Sequence, residues 1–421
     1  MPPLNESSPH PTAEAEDWLR LLAHERGISR RRFLQLLSVG GAAAVLAACF
    51  GDRLPGTSDP TPAPTAIGQS EPPRWYKDPT PFIQRSGSLE ARLENLQEVM
   101  TPNKLFFVRN NSTSMDVDAT SWRLSVEGDA VSSPMELSYT DIQDMPSSTL
   151  VCYLECAGNH RAMFNLVNGQ KADGTQWERG AVGNGEWIGV SLRDVLTRAG
   201  ITEDAASVLL IGLDENSPEV GFRRAMSVDK AMHPDTLLAY AMNGEKLPRD
   251  HGYPLRAVVP GWVGSSWIKW LGRIVVSSQP FWTRNNTTSY VLIGEDYPPE
   301  GEADGVVVTA QTVKSALALP WPAELPAGRQ RIHGYAHSPS SISKVEWSAD
   351  SGSTWYEADL HGPQVQYSWA RFEFTWSPGP GDHVLMTRAT DTAGNTQPDA
   401  IPFNKKGYLF NQPLPHPVRV T

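Results

Sequence analysis

The pattern of apolar and polar positions changes character twice along the 421-residue chain. The run from Phe33 to Ala48 is almost wholly apolar, but its sixteen residues fall short of the ~20 that a membrane-spanning helix needs. The following GDRLPGTSDPTPAPTAIGQSEPP has no apolar period and is rich in Pro, Ser and Thr, which predicts an extended tether. From about Arg74 the periodicity returns. SGSLEARLENLQEVM spaces Leu89, Leu93 and Leu96 at helical intervals behind Ser86 or Ser88 as a cap, and predicts a helix. KLFFVRNN predicts a short strand, and SLRDVLTRAG a helix closed by a glycine suited to a C-terminal cap. In STLVCYLEC, residues Leu150, Cys152, Leu154 and Cys156 share one face of a strand.

Beyond about Val306 the runs become short and alternating. SKVEWSADSGSTWYEADL predicts two strands about a turn at Asp350-Ser351-Gly352, and RFEFTW puts Phe372, Phe374 and Trp376 on one face. HVLMTRATDTAGNTQP continues the pattern. The fold class expected is an α+β domain followed by an all-β, antiparallel, immunoglobulin-like sandwich. The expected boundaries are 1–49 for an address, 50–75 for the tether, 76–303 for the α+β domain and 304–421 for the sandwich. No internal repeat is present in the sequence.

Composition sharpens this. The 35 prolines, 34 glycines and 14 tryptophans favour turns and strands over a helical bundle. A net charge of -11 argues against a nucleic-acid surface, so an anionic ligand must enter through a local basic pocket. Three cysteines, Cys49, Cys152 and Cys156, are too few for a disulfide scaffold, and without a CxxCH covalent haem is not encoded. SRRRFL ahead of the apolar run resembles a twin-arginine signal, whose machinery exports proteins already folded. Leu46-Ala47-Ala48-Cys49 looks like a lipobox. Together they predict a periplasmic or cell-surface protein that meets the membrane only through a lipid anchor at Cys49. Acylation without the twin-arginine route, cleavage elsewhere, or an amphipathic helix with an incidental cysteine remain the alternatives; residues 1–28, with their acidic EAED, are long for a signal's leading region.

Cys156 stands where a strand breaks into Ala-Gly-Asn, with His160 and Arg161 close behind. Four strand residues would hold it roughly 13 Å from Cys152, beyond the ~7 Å reach of a disulfide. Cys152 is then a small core residue. Gly158 permits a tight turn and Arg161 would favour a thiolate. Composition alone leaves an inert thiol, a metal ligand and a nucleophile all open for Cys156.

ECAGNHR resembles the cysteine motif of the sulfite oxidase family of molybdopterin enzymes. The resemblance runs from about Lys104 to Val420. FFVRNN is similar to that family's FFVRNH, and GTQWERGAVGNGEWIGVSLRDVL to its tryptophan loop and following helix. LLAYAMNGEKLPRDHGYPLRAVVPGWVG with WIKWLGRI resembles its most diagnostic stretch, and ATDTAGNTQPDAIPFNKKG the end of its dimerisation domain. The resemblance implies an α+β molybdopterin-binding domain of the sulfite oxidase type, with Cys156 as the molybdenum ligand. The segment Phe107, Val108, Arg109, Asn110 and Asn111, with Asp214, His251, Arg256, Trp267, Ile268 and Lys269, would hold the pterin. Arg109 and Arg161 would bind the anionic substrate beside the metal, with Trp177 as a wall and Tyr290 as the active-site tyrosine. Lys406 stands in NKKG where the family has NLRG, keeping the charge and losing the guanidinium fork. His160 is given no direct role. The activity implied is oxidation of sulfite, or a related small sulfur oxyanion, to sulfate by oxygen-atom transfer. Electrons would pass to an external acceptor such as a c-type cytochrome, since HPGG and CxxCH are both missing from the sequence. A homodimer is implied as well. Alternatives are oxidation of a sulfane group, sulfoxide or nitrate reduction, and a binding lipoprotein with no active metal.

Overall fold

Residues 147–156 use their alternation on both sides. In the computed structural model, which describes residues 74–421, Ser147–Glu155 is a strand whose last five residues are buried. Leu150, Cys152 and Leu154 face the main core, and Cys156, just past the strand, packs against the same cluster. Tyr153 faces the opposite way, among Leu93, Leu96, Tyr335 and Trp369. Both Cys152 and Cys156 are free thiols, as the strand spacing required. The predicted signal, Cys49 and nearly all of the tether lie outside the described residues.

This strand pairs antiparallel with Val182–Ser191 through nine residue pairs, from Ser147 with Val190 to Glu155 with Val182. Leu237–Met242 pairs with the other edge of Val182–Ser191 and also with Arg256–Val258. A second five-stranded sheet runs in the order 135–138, 123–127, 271–277, 207–212 and 223–227, with Arg123–Glu127 and Leu271–Ser277 parallel. The two sheets and the helices Tyr139–Gln143 and Leu192–Arg198 enclose the largest core, which includes Trp177, Trp187 and Trp267. Leu192–Arg198 ends as predicted: Gly200 is left-handed, its N–H donates to Thr197 O at 3.0 Å, and Ile201 N–H donates to Leu196 O at 3.1 Å.

The helix expected over Leu89, Leu93 and Leu96 does not form. Ile83–Arg85 and Ser88–Glu90 are antiparallel strands joined through Gly87, and Val108–Arg109 pairs with the outer edge of Ser88–Glu90. Leu93–Asn95 is a single 3-10 turn. The physical reason lies at Glu90, which is 1% exposed and accepts the successive N–H groups of Glu178, Arg179 and Gly180 at 2.9, 2.9 and 3.0 Å, with Arg85 Nε at 2.7 Å. An extended strand delivers that carboxylate while Leu89 packs with Phe82 and Val108, and Leu93 and Leu96 pack elsewhere. The helical spacing thus reflects burial against separate partners.

The C-terminal region is mostly β, as its alternation predicted. One sheet runs in the order 314–317, 330–337, 370–376 and 359–361; the other in the order 323–325, 416–420, 381–391, 342–348 and 356–357. Ile332, Phe372, Phe374 and Trp376 from the first share a core with Val345, Leu385, Ala389 and Val418 from the second. Pairing is not antiparallel throughout, because Ala323–Leu325 runs parallel to His416–Val420. Ser351 and Gly352 take positive φ in the turn after Ile342–Ser348. Among the described residues no helix is long and apolar enough to cross a membrane.

Candidate active site

The turn after Glu155 is built by backbone bonds. Cys156 N–H donates to Ala181 O at 2.9 Å, Asn159 N–H to Cys156 O at 2.9 Å, and Arg161 N–H to Gly158 O at 3.0 Å. His160 adopts φ 70 and the helix Arg161–Asn168 begins. The Asn159 side chain braces the turn, donating to Glu155 Oε1 at 2.9 Å and accepting Ala181 N–H at 3.0 Å. This turn brings the half-buried Cys156 and the buried Arg161 onto one cavity. A Cβ at Gly158 would stand 2.6 Å from the Arg161 Cζ, so any side chain there would displace that guanidinium.

Two cavities meet at Cys156. The first, about 680 Å³, is lined by Phe107, Arg109, Asn110, Asn111, Cys156, Asp214, His251, Arg256, Trp267, Lys269 and Tyr290. Its cations are deeply buried. Lys269 donates to Asp250 O at 2.9 Å and to Asn110 Oδ1, and its ammonium lies over the Trp270 ring. Arg256 donates to His251 O at 3.1 Å and Trp267 O at 3.2 Å, with its guanidinium 4.9 Å from the Trp187 ring centre. Burial, and then the mutual repulsion of these groups, holds Lys269 well below the usual lysine range and His251 well below the usual histidine range. Burial pushes Arg256 down to about 9. Lys77 closes the far side of His251, its ammonium 2.8 Å from His251 Nε2. Asp214 is 4% exposed, accepts Phe222 N–H at 2.8 Å and Ser112 Oγ–H at 3.1 Å, and has its pKa raised by burial.

The second cavity, about 850 Å³, shares Arg109, Asn111, Cys156 and Tyr290 with the first and adds Arg161, Trp177 and Lys406. Arg161 Nε donates to Lys406 O at 2.7 Å and Nη1 to Thr175 O at 2.7 Å. Arg109 Nη2 donates to Asn111 Oδ1 at 2.8 Å. Of the residues singled out in sequence, Val108 and Ile268 line neither cavity. Strand alternation turns Val108 away from Arg109 to pack on Phe82 and Leu89, and Ile268 belongs to the main core.

Several lining residues were not foreseen: Phe222 and Ser265 in the first cavity, Asp173, Thr175, Arg284, Asn285, Ser289 and Tyr408 in the second. Tyr408 is the most telling. Its ring stacks on Tyr290 at 5.5 Å and 19°, its hydroxyl donates to Ser289 O at 2.8 Å, and the Arg161 guanidinium lies 5.0 Å from its centre. Arg224, pushed down to about 10 by burial, covers the Tyr290 ring at 5.2 Å. The two tyrosines therefore lie stacked between two guanidinium groups. The position of Tyr408 two residues after Lys406 was the available signal.

Comparison with known proteins fits this arrangement. The oxidoreductase molybdopterin-binding domain model matches residues 111–284, and the Mo-co oxidoreductase dimerisation domain model residues 306–419. The sulfite oxidase of Gallus gallus is 34% identical over 346 residues, covering 77% of this chain and 74% of the relative. That of Arabidopsis thaliana is 30% identical over 376 residues, covering 80% and 93%. The chain belongs to the sulfite oxidase family. The mitochondrial sulfite oxidase of Rattus norvegicus is 33% identical over 350 residues, and the match spans 78% of this chain and 63% of that relative's length. Among solved structures, the sulfane dehydrogenase SoxCD from Paracoccus pantotrophus superposes with a TM-score of 0.70 at 25% identity, covering 88% of this chain and 96% of that one.

The family's cofactor is molybdenum-bound molybdopterin, and the first cavity fits it on the chemistry of its walls. A pterin that ends in phosphate needs fixed cations, and Lys269 and Arg256 are buried beside His251 at a cost that an anionic group would relieve. A soft thiol at the junction with the second cavity suits a soft or high-valent metal.

Proposed function

We propose that this protein oxidises sulfite to sulfate, with Cys156 as the protein ligand to molybdenum. The observation that carries the reading is that Cys156, Arg109, Asn111 and Tyr290 line both a cavity walled by the buried Arg256 and Lys269 and a second one ringed by Arg109, Arg161 and Lys406. These cations make a positive pocket in a chain of net charge -11. When bound, the molybdenum group supplies oxygen-atom transfer and takes up two electrons; the balance is sulfite and water to sulfate, two protons and two electrons. The side chains do the rest. Arg161, anchored through Nε and Nη1, presents its remaining face to the anion, and Arg109 is oriented by Asn111. Lys406 adds a point charge, Trp177 closes one wall, and Tyr290 is held at the junction by Tyr408 and Arg224. Fixed cations of this kind compensate charge without reorganising.

His251, Arg256, Lys269, Asp214 and the Phe107–Asn111 backbone would hold the pterin. The electrons would leave for a separate carrier, such as a c-type cytochrome. The second domain, read as an immunoglobulin-like sandwich, would form the homodimer. Export by the twin-arginine route with lipid attachment at Cys49 completes this reading. Oxidation of a sulfane sulfur is a second reading, favoured by the likeness to SoxCD.

The test is molybdenum and pterin content together with reduction of ferricyanide and of a purified c-type cytochrome by sulfite or thiosulfate and, in the reverse direction, oxidation of a reduced viologen dye by methionine sulfoxide. Sulfite should be turned over most efficiently; turnover of thiosulfate alone favours the sulfane reading. Cys156→Ser should retain pterin and lose turnover, and persistent activity there would overturn the assignment.

A further inference from the structure

Glu155, directly before Cys156, is held from the second domain at both its polar ends. Its Oε1 accepts Lys314 Nζ at 2.8 Å, both side chains being 0% exposed. Its main-chain carbonyl accepts the side-chain amide of Gln311 at 2.9 Å. Lys314 opens the strand Lys314–Leu317 and faces His337 in register on Gln330–His337. His337 Nε2 is 3.9 Å from the same Oε1, but burial holds that imidazole down at about 4, so the nearer hold on Glu155 is the 2.8 Å contact from Lys314. The grip passes on through Asn159, which bonds Glu155 Oε1 with its amide nitrogen and Ala181 N–H with its oxygen, while Ala181 O receives Cys156 N–H. A closed circuit of bonds thus surrounds the cysteine backbone.

Stability alone is a poor reason for such a pair. A buried ion pair costs much of its attraction in desolvation, and an apolar pair of the same volume serves the core as well. What an apolar pair cannot supply is a directional hold on the residue that carries the next side chain into the cavity.

We propose that Lys314 and Gln311 are positioning residues for Cys156, clamping Glu155 from the second domain and so setting where the sulfur stands between the two cavities. The second domain then completes the metal site in addition to any role in dimerisation. This rests on the reading of Cys156 as the molybdenum ligand.

The experiment uses loaded enzyme reduced stepwise with dithionite, reading the EPR lines of pentavalent molybdenum beside kcat and KM for sulfite. Lys314→Met should displace the lines and lower kcat by about tenfold, the usual scale for residues that orient a metal ligand, with KM for sulfite little changed. The paired Glu155→Gln/Lys314→Met variant removes the uncompensated carboxylate and keeps an acceptor for Asn159 but still lacks the clamp, so it should recover stability while the lines and kcat stay displaced. Gln311→Leu, which exposes no charge, should displace the lines in the same sense by less; it and the paired variant decide the matter if Lys314→Met does not fold. Parent-like lines and kcat in the folded variants would overturn the inference. A parent enzyme with no molybdenum signal, or one whose lines are untouched by Cys156→Ser, would instead overturn the ligand assignment.

Discussion

At Arg161 the guanidinium has only part of its surface left for a ligand. Two of its nitrogens bond the carbonyls of Lys406 and Thr175, its plane lies over Tyr408, and a Cβ on Gly158 would strike it while one on Gly407 would strike its aliphatic stem. A lysine cannot make that fork. Arg161→Lys should therefore raise KM for sulfite by about tenfold to a hundredfold, the 1.5–3 kcal/mol of a charge-assisted bond, with kcat falling less; steady-state kinetics checks this. Lys77, behind His251, offers a test that needs no turnover. Its ammonium sits among the carbonyls of Asn103 and Phe106 and His251 Nε2, and burial lowers its pKa from 10.5 to about 7. Below pH 7 folded and unfolded chains both hold the proton and the effect on stability is flat. Between pH 7 and about 10 only the unfolded chain keeps it, so stability rises with pH by ~1.4 kcal/mol per unit from this group. Denaturant unfolding of the cofactor-free protein at pH 7, 8 and 9 should show that rise, and Lys77→Met should lack it.

Elements carry these side chains in ways that period alone anticipates unevenly. The alternation in STLVCYLEC was legible because one face meets the main core and the other the second domain, so register had a single solution. The Leu89, Leu93 and Leu96 spacing misled because Leu89 is buried in one cluster and Leu93 and Leu96 in another, and the carboxylate of Glu90 required an extended chain. Trp187, on Val182–Ser191, links strand to site. It is fully buried, edge-on to Phe106 and Trp267 at 6.0 and 5.5 Å, beneath Arg256, and its Nε1–H donates to Cys152 O at 3.2 Å. Trp187→Ala should cost about 3–5 kcal/mol of stability and, by freeing Arg256, leave less pterin bound after dialysis. Calorimetry and pterin fluorescence read the two effects separately.

Across the whole molecule the second cavity is assembled from residues more than two hundred positions apart, Arg161 and Trp177 on one side and Lys406 and Tyr408 on the other. Tyr408→Leu removes the ring that stacks on Tyr290 and covers Arg161. It should raise KM for sulfite several-fold, in the range of about 1 kcal/mol for an aromatic or cation–π contact, while pterin content stays at the parent level; loss of pterin instead would mean that Tyr408 supports the first cavity. The sequence by itself determined the family, the cysteine turn, the basic residues around it and the β character of the C-terminal region. Those features are written in contiguous motifs and in local alternation, where neighbours along the chain are neighbours in space. Only the tertiary structure decided that Ile268 turns into the core, that Tyr408 stacks on Tyr290, and that Lys314 reaches Glu155. These depend on which surfaces two stretches far apart in the chain bring together, and no period along one stretch records what the other will place against it.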